Sequence, residues 1–361
     1  MEQILHPDTV ALDESGHAIV IIDQTLLPAS LTLISLKTRE EFFDAIATLK
    51  VRGAPAIGVT AAMAYYLMAW RHVADCPGIP FSELSSRLEE DRAYLAKSRP
   101  TAVNLFWALD RMKQVLQHCS PFSGSEILER LRSECFAIRD EDIRVCRAIG
   151  EHGLALLHPG DGVLTHCNAG RLATVRYGTA LAPVYLAEER GFSLKVYSDE
   201  TRPLLQGARL TCTELSASGV DVTLLCDGMS GSLMRSGAVQ IIFVGADRIA
   251  ANGDVVNKIG TSVLACAAKR YGIPFYVCAP TSTIDMDCPT GSEIPIEQRA
   301  PEEVTSLWYE KRMAPEGIGV YNPAFDITDS DLITGVITEN GILRPPFAEG
   351  LAKLFVEKRK Q

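Results

Sequence analysis

Two side chains that can exchange protons stand directly after apolar runs of the sequence. Cys167 follows residues 162–166, and Asp247 follows residues 243–246. Such runs are typical of buried strands, so each side chain lies where a strand ends, and Cys167 is expected to line a crevice. A carboxylate in an apolar setting has a raised pKa and can hold or deliver a proton near neutral pH. The structural alternatives are that Cys167 is a small buried hydrophobe and that Asp247 pairs with Arg248 or caps a turn.

Two arginine motifs in the first third of the chain have the composition of anion sites. In Arg52-Gly53-Ala54-Pro55, the proline suits the first turn of a helix, and Gly53 and Ala54 expose backbone N–H groups with little obstruction. Arg99 likewise precedes a proline at a predicted helix start. An arginine beside such amides favours phosphate, although an ordinary solvated arginine is the alternative for either motif alone.

Three more polar residues stand near predicted strand ends in the second half. Gln206 is placed in the first turn of a helix, where its amide can bond a sugar hydroxyl or a carbonyl. The tight-turn sequence at residues 251–254 returns the chain to Asn257 and Lys258. Lys258 and the amides of the next helix start would form a further phosphate donor group, and a surface lysine is the alternative.

The elements that must position these residues alternate regularly from about residue 160 onward. Short apolar runs separated by helical stretches predict a parallel sheet wound with helices on both faces, a Rossmann-like arrangement. Ligands of such sheets bind beyond the carboxyl ends of the strands, where Cys167, Asp199, Asp227 and Asp247 all fall. The predicted strands are residues 162–166, 194–198, 220–226, 241–245, 275–278 and 332–338, and the predicted helices are residues 173–189, 203–218, 230–236 and 259–271.

The first part of the chain has a different pattern. A strand pair near residues 19–36 precedes amphipathic helices at 38–48, 56–69, 81–97 and 101–116, and a long helical stretch at 125–157 connects to the sheet. We therefore expect two domains. Residues 1–124 form a smaller, mostly helical domain that carries a short sheet, and residues 125–361 form the α/β domain.

Composition narrows the class of protein. Apolar residues make up 47% and charged residues 22% of the 361 residues, which excludes a mainly disordered chain. The formal net charge of −10 disfavours nonspecific binding to nucleic acid or to an anionic membrane surface. The ten cysteines form no Cys-x-x-Cys pair, so no metal site is predicted. With no signal-peptide pattern and no membrane-spanning apolar run, a cytoplasmic protein with reduced thiols is expected.

Taken together, these segments resemble the family that comprises the eIF2B α, β and δ subunits and the methylthioribose-1-phosphate isomerases. The resemblance extends over nearly the whole chain, so it is specific although each motif is short. The motifs that carry it are Asp23-Gln24-Thr25-Leu26-Leu27-Pro28, the Arg52 and Arg99 motifs, 165–170, 199–210, 245–249, 257–260, 279–285, Ile294-Pro295-Ile296-Glu297 and Asn322-Pro323-Ala324-Phe325-Asp326.

The resemblance implies a cofactor-free aldose to ketose isomerisation, from 5-methylthioribose 1-phosphate to 5-methylthioribulose 1-phosphate in methionine salvage. By the family's pattern, Asp247 is the proton donor, and Cys167 accepts a proton or stabilises the transition state. The family's substrate-binding positions correspond to Arg52, Gly53, Ala54, Arg99, Gln206, Asn257 and Lys258. The resemblance also suggests a homodimer. A methylthio tail needs an apolar pocket, and we expect residues of the N-terminal domain to close over the crevice and supply it.

One residue departs from the family's pattern, so the identity of the substrate is not fixed by the resemblance. Arg171 stands where a small or apolar residue is expected. If its side chain faces the crevice, the end of the sugar remote from the 1-phosphate can differ from that of methylthioribose. The alternatives are 5-deoxyribose 1-phosphate and ribose 1,5-bisphosphate, and a simply exposed Arg171 is the structural interpretation.

Two rival functions also remain open. A noncatalytic regulatory relative would sense a sugar phosphate or nucleotide, but the chain retains both Cys167 and Asp247. A nicotinamide-dependent dehydrogenase is disfavoured because the Gly170 turn lacks Gly-x-Gly-x-x-Gly.

Overall fold

The computed structural model of the chain describes residues 8–100, 102–120 and 122–358. Contacts within the chain divide it into two compact units. The first comprises residues up to Cys146 together with Gly170–Gly178, and the second comprises Arg147–Ala169 and the chain from Thr179 onward. The boundary expected between residues 124 and 125 is where a long helix begins, whereas the contacts divide that helix itself.

The first unit combines a small antiparallel sheet with helices. Strands β1, β2 and β3 pair in that order, so the expected strand pair is confirmed and β1 is an additional edge strand. The predicted helices are present as α1 to α5, except that Thr101 lies outside the described residues. The elements are β1 Val10–Leu12, β2 Ile19–Ile22, β3 Leu33–Leu36, α1 Arg39–Ala47, α2 Ala54–Asp75, α3 Phe81–Ala96, α4 Val103–Gln117 and α5 Gly124–Leu154.

Helix α2 is the centre of this unit. Its first four turns are buried all round, because Ala-rich sequence lets neighbouring elements approach closely on every side. The cluster of apolar side chains around it includes Phe42, Tyr65 and Leu105. Ala54, the first residue of α2, follows Arg52 and the N-cap residue Gly53.

The helix predicted from residue 173 is wrong over its first half. After Gly170 the chain forms only a short 3-10 turn at Arg171–Ala173 and then runs irregularly to α6, Ala182–Glu189. Pro183 lies in the first turn of α6, as prolines commonly do.

The backbone groups of this segment are bonded to the rest of the first unit, which is why they do not form a helix. The Gln24 side chain donates to the carbonyl of Leu172 at 2.7 Å. The N–H of Val175 donates to the Asp142 carboxylate at 2.8 Å, and its carbonyl accepts from the N–H of Thr9 at 3.0 Å. Burial raises the pKa of Asp142 to about 7, and the bond from Val175 opposes that rise.

The second unit contains a seven-stranded sheet in the order β14-β13-β10-β7-β4-β5-β6. All neighbours pair in parallel except β14, which is antiparallel to β13. The chain lays down β4, β5 and β6 in one direction and then returns to place β7 on the other side of β4. The strands are β4 Gly162–Thr165, β5 Lys195–Asp199, β6 Asp221–Leu225, β7 Ile241–Val244, β10 Phe275–Cys278, β13 Gly335–Thr338 and β14 Gly341–Leu343.

The six predicted strands are thus confirmed within one to three residues at their ends, and so is the parallel sheet. Buried Phe243 and Phe275 belong to its core. Helices α7 to α11 are Cys212–Ala217, Ser230–Arg235, Thr261–Tyr271, Glu302–Thr305 and Phe347–Lys358, and a π-helical turn at Gly207–Thr211 precedes α7.

A second sheet, in the order β11-β8-β9-β12, was not anticipated. Its strands are β8 Arg248–Ala250, β9 Val255–Lys258, β11 Ile284–Asp285 and β12 Phe325–Thr328. The predicted tight turn at residues 251–254 is confirmed, because β8 and β9 pair antiparallel across it. This hairpin directly follows Asp247 and carries Asn257 and Lys258. Among the described residues, no helix is long and apolar enough to cross a bilayer.

Candidate active site

Cys167 and Asp247 follow two neighbouring parallel strands, β4 and β7. The strand order reverses between these strands, which makes their carboxyl ends the topological switch point where open α/β sheets bind ligands. The two loops touch, since a Cβ at Gly245 would lie 2.8 Å from the Cβ of Ala169. The fold therefore brings the two predicted catalytic residues to the same edge of the sheet.

The two side chains differ in exposure, and the exposure of Asp247 is not what the sequence predicts. Cys167 is half-buried, but Asp247 is exposed and so does not lie in an apolar setting here. Its backbone N–H donates to the carbonyl of Val256 at 2.9 Å, which fixes the residue at the start of the hairpin. Arg248 bonds Asp285 at 3.4 Å.

The backbone of Cys167 has an unfavourable conformation that its neighbours stabilise. Its φ of 65° lies in the left-handed region, which costs a non-glycine residue about 1–2 kcal/mol. The Cys167 N–H donates to the hydroxyl of Thr201 at 2.8 Å, and the Thr211 hydroxyl donates to the Cys167 carbonyl at 2.6 Å. Such strain, held by surrounding bonds, is typical of functional positions.

Thr201 is itself held in a left-handed conformation, with a φ of 65°. Its N–H donates to the Asp227 carboxylate at 2.7 Å, and its hydroxyl donates to the carbonyl of Asp199 at 3.1 Å. The loops after β4, β5 and β6 are thus joined through one threonine. Thr201 belongs to a motif quoted from the sequence, but no sequence pattern indicated that its hydroxyl would support Cys167.

His166, the residue before Cys167, is completely buried and bonded to Asp199 at 3.0 Å. Burial alone would lower the pKa of His166, but the bond and charge of Asp199, the charge of Asp227 and the bond to Ile259 together outweigh it and raise the pKa above its ordinary value. The sequence placed Asp199 at a strand end without a partner, and it assigned His166 no role.

The donor atoms of His166, Asp199 and Asp227 lie close enough together to suggest a metal site. However, Asp199 accepts bonds from His166 and Ser230, and Asp227 accepts bonds from two backbone amides. Their oxygens are therefore engaged, and the group is better described as a hydrogen-bonded network than as a ligand set.

Gln206 presents an unsatisfied acceptor. The side chain is only 7% exposed, and its buried Oε1 has no hydrogen-bond partner. An unpaired buried amide oxygen costs about 1–3 kcal/mol, so a donor supplied by a ligand would relieve that cost. The observation suits the predicted bond to a sugar hydroxyl.

Asn257 and Lys258 lie on β9, with their polar groups already bonded to neighbours. The Asn257 amide donates to Thr261 at 3.0 Å. The Lys258 ammonium donates to the carbonyl of Ala324 at 2.9 Å and lies 4.2 Å from the centre of the Phe325 ring. Lys258 is half-buried rather than a freely solvated surface lysine.

The helix amides expected beside Lys258 do not form a phosphate site. The N–H groups of Gly260 and Ser262, at the start of α9, donate to the carboxylate of Asp326. An aspartate from β12 therefore occupies the position that an anion would take.

The other four predicted binding residues lie in the first unit. Gly53 is the N-cap of α2, with a φ of 90° and no side-chain cap, and Ala54 is the first helical residue. A Cβ at Gly53 would lie 2.3 Å from the carbonyl oxygen of Ala173, so only glycine fits there. Arg52 donates to the Gln24 side chain at 3.3 Å. These features suit an anion at the start of α2.

Arg99 lies ahead of α4, and its carbonyl accepts from the N–H of Ala102. Arg171 is half-buried, with its Nε fully shielded from solvent, so the expectation of a simply exposed side chain is wrong.

The model of the Initiation factor 2 subunit family matches residues 50–345. The chain is 59% identical to the methylthioribose-1-phosphate isomerase of Symbiobacterium thermophilum over 353 residues, which is 98% of this chain and 97% of the relative. It is 53% identical to the 5-deoxyribose 1-phosphate isomerase of Moorella thermoacetica over 334 residues, with 92% and 94% covered.

Two solved structures are similar over almost their full lengths. The 5-methylthioribose 1-phosphate isomerase from Pyrococcus horikoshii OT3 has a TM-score of 0.90 at 42% identity, with 98% of each chain covered. The subunit delta of translation initiation factor eIF-2B from A. fulgidus has a TM-score of 0.86 at 41% identity, with 96% of this chain and 98% of that chain covered.

The contribution of the hydrogen bond between Thr201 and Cys167 can be tested by measuring the free energy of unfolding of Thr201 variants. Thr201→Val keeps the shape of the side chain but leaves the N–H of Cys167 without its acceptor, so we expect a loss of about 1–3 kcal/mol in the free energy of unfolding. Thr201→Ser keeps the hydroxyl and is the matched control. Urea denaturation measures both, and equal stability of the two variants would contradict the supporting role.

Proposed function

Because the chain belongs to the Initiation factor 2 subunit family, we propose that it is an enzyme of that family and converts 5-methylthioribose 1-phosphate into 5-methylthioribulose 1-phosphate in methionine salvage. The observation that carries this proposal is the placement of Cys167 and Asp247 after neighbouring strands at the switch point of the sheet. The name and the 59% identity of the S. thermophilum relative support it over nearly the whole chain.

The reaction requires an acid and a group that handles the hydrogen at C2. The anomeric oxygen of the substrate is esterified, so the ring cannot open spontaneously to a free aldehyde, and the ring oxygen must be protonated as its bond to C1 breaks. We assign Asp247 as the donor of that proton to the ring oxygen. As hydrogen moves from C2 to C1 and C2 becomes the ketone carbon, one proton leaves the substrate, which balances the proton that Asp247 donates. Cys167 accepts this proton or stabilises the transition state. Each positioned acid or base contributes about 10²–10⁴-fold, and no metal or coenzyme is invoked.

Exposure of Asp247 in the ligand-free chain has a consequence for this mechanism. A general acid must hold its proton at the working pH, and exclusion of water favours the protonated form of a carboxyl group. Bound substrate must therefore shield Asp247 from water in the reacting complex. The methylthio group is apolar and suits that purpose. We also propose that residues of the N-terminal domain contribute to this closure.

The binding groups suit a phosphorylated sugar. We assign Arg52, Gly53, Ala54 and Arg99 to the phosphate, since α2 is 22 residues long and its start has no side-chain cap. Gly53 lies against Ala173, and Ala173 follows Cys167 by a few residues in the sequence.

The remaining binding assignments lie in the second unit. We assign Gln206 to a sugar hydroxyl, because its buried Oε1 has no partner. We assign Asn257 and Lys258 to the polar edge of the substrate, because both follow Asp247 through the β8–β9 hairpin.

Isomerase activity is tested by NMR with the purified protein and three substrates side by side, namely 5-methylthioribose 1-phosphate, 5-deoxyribose 1-phosphate and ribose 1,5-bisphosphate. We expect the highest kcat/KM with the first. Cys167→Ser and Asp247→Asn should each lower kcat by at least about 10²-fold, because each removes one proton-handling group, while the circular dichroism spectrum stays unchanged.

Matched controls are Cys266→Ser and Asp287→Asn, since both side chains are exposed and lie outside the proposed site. Near-normal turnover by either site variant would reject its catalytic role. A preference for 5-deoxyribose 1-phosphate, the substrate named for the Moorella thermoacetica relative, would favour that activity instead. No turnover of any of the three would favour a regulatory protein.

Gln206→Leu separates ligand binding from stability. The substitution removes an unsatisfied buried oxygen, so we expect the ligand-free variant to be at least as stable as the wild type. It also removes the bond to the sugar, so KM should rise about tenfold. Urea denaturation and steady-state kinetics measure the two effects.

Gln240→Leu is the contrasting control, because the Oε1 of Gln240 accepts from the N–H of Gly162 at 2.6 Å. This variant should lose stability and keep its KM. An unchanged KM in Gln206→Leu would remove Gln206 from the substrate site.

We further propose a homodimer in the cytoplasm. The described part of the C-terminal region exposes Leu307, Met313, Ile318 and Tyr321, which supports an apolar contact there. All ten cysteines are free thiols, as a reducing compartment favours. Sedimentation equilibrium should give twice the chain mass of 39.3 kDa. A single-chain mass at micromolar concentration would contradict the dimer.

A further inference from the structure

His166 joins three segments of the second unit, although its side chain has no place in the proposed reaction. Its Nδ1 lies 3.0 Å from the carboxylate of Asp199, at the end of β5. Its Nε2 lies 2.8 Å from the carbonyl oxygen of Ile259, in the turn between β9 and α9. A Cβ at Gly260 would lie 2.8 Å from the imidazole ring, so the turn packs directly against it. The ring is 1% exposed.

The two bonds define where the protons are. A carbonyl oxygen only accepts, so the Nε2 of His166 must carry a proton. An ionised carboxylate also only accepts, so the Nδ1 must carry a proton as well when Asp199 is charged. Both ring nitrogens are then protonated, which is the imidazolium form of histidine.

The surrounding charges favour this form. The carboxylates of Asp199 and Asp227 raise the pKa of His166, and the charge of His166 partly offsets the rise that burial causes in the pKa of Asp326. Burial leaves the pKa of Asp199 raised, although its bonds to His166 and Ser230 favour the charged carboxylate. Because one buried cation faces three carboxyl groups and both of its ring nitrogens are bonded to oxygens, the ion pair is the favoured arrangement.

We propose that His166 is a positioning residue, a buried imidazolium paired with Asp199 that holds the Cys167 loop against the turn after Lys258. The ring fixes the residue next to Cys167 on one side and the β9–α9 turn on the other. Loss of the charge would leave Asp199 unpaired and loosen both segments at once. This inference rests on the proposed isomerase activity for its kinetic test, and its spectroscopic test is independent of activity.

The protonation state is measured directly by NMR on protein labelled with ¹⁵N-histidine. We expect both ring nitrogens of His166 to carry protons at pH 7, with a one-bond coupling to hydrogen at each. The internal control is His158, whose exposed ring also lies near an aspartate, at 3.4 Å from Asp161. A His166 ring with one unprotonated nitrogen at pH 7 would overturn the ion pair.

Two substitutions of His166 test its two hydrogen bonds separately, because the side chains of asparagine and glutamine differ in length. His166→Asn can place an amide near the Nδ1 position and keep the bond to Asp199, whereas His166→Gln can reach toward Ile259. Neither makes both bonds. We expect each to lower kcat about 10-fold or more with KM changed less than about threefold, because the substrate's own contacts remain. His158→Gln should match the wild type. Folded His166 variants with wild-type kcat would overturn the positioning role.

Asp199→Asn tests whether the charge of His166 matters for kcat. A merely structural role of His166 would not make the effect of this substitution depend on pH. Without the carboxylate, burial acts on His166 with less opposition, so its pKa falls. Protonation is then retained at low pH and lost as pH rises through the lowered pKa. The ratio of kcat in the variant to kcat in the wild type should therefore fall at least about tenfold between pH 5.5 and 8.

A ratio that is independent of pH would overturn the charge-based role of the pair. A wild type that turns over none of the sugar phosphates would reject the proposed function, and the NMR result would still decide the state of His166.

Discussion

The left-handed backbone at Cys167 is the constraint on which the rest of the site depends. The residue cannot adopt this conformation without cost, so its amide and carbonyl must be bonded on both sides. Thr201 and Thr211 supply those bonds from the segment after β5. This requirement explains why Thr201 is strained too and why Asp227 accepts its amide. The thiol is therefore held by a network that includes the ends of three strands.

The starts of α2 and α9, one in each unit, differ in how their first backbone amides are bonded. At the start of α9, the carboxylate of Asp326 accepts the free amides, which satisfies them internally. At the start of α2, Gly53 provides no side-chain cap, and its lack of a Cβ admits the carbonyl of Ala173. Both helices present the same partial positive charge, but an aspartate faces it at the start of α9 and no side chain caps the start of α2.

Residues 170–178 show how local pattern and tertiary bonding compete. Their composition favours a helix, yet their backbone groups bond to Gln24, Asp142 and Thr9 of the first unit. Those bonds satisfy the carbonyls and amides that a helix would satisfy within itself. The segment begins directly after the loop that contains Cys167, so hydrogen bonds fix the chain both at Cys167 and in the residues that follow it. Sequence periodicity contains no information on such long-range partners.

The amino-acid sequence by itself determined six strands of the parallel sheet, the helices of the first unit and the placement of Cys167 and Asp247 at strand ends. It could do so because buried strands and amphipathic helices have periods that are visible locally. Only the tertiary structure decided that β7 pairs with β4, that Asp247 is exposed, that Gln206 has an unpaired oxygen and that Asp326 closes the start of α9. It also placed His166 between Asp199 and Ile259, 33 and 93 residues away along the chain. The physical reason is that hydrogen bonds and burial depend on partners distant in sequence, and no local spacing encodes their positions.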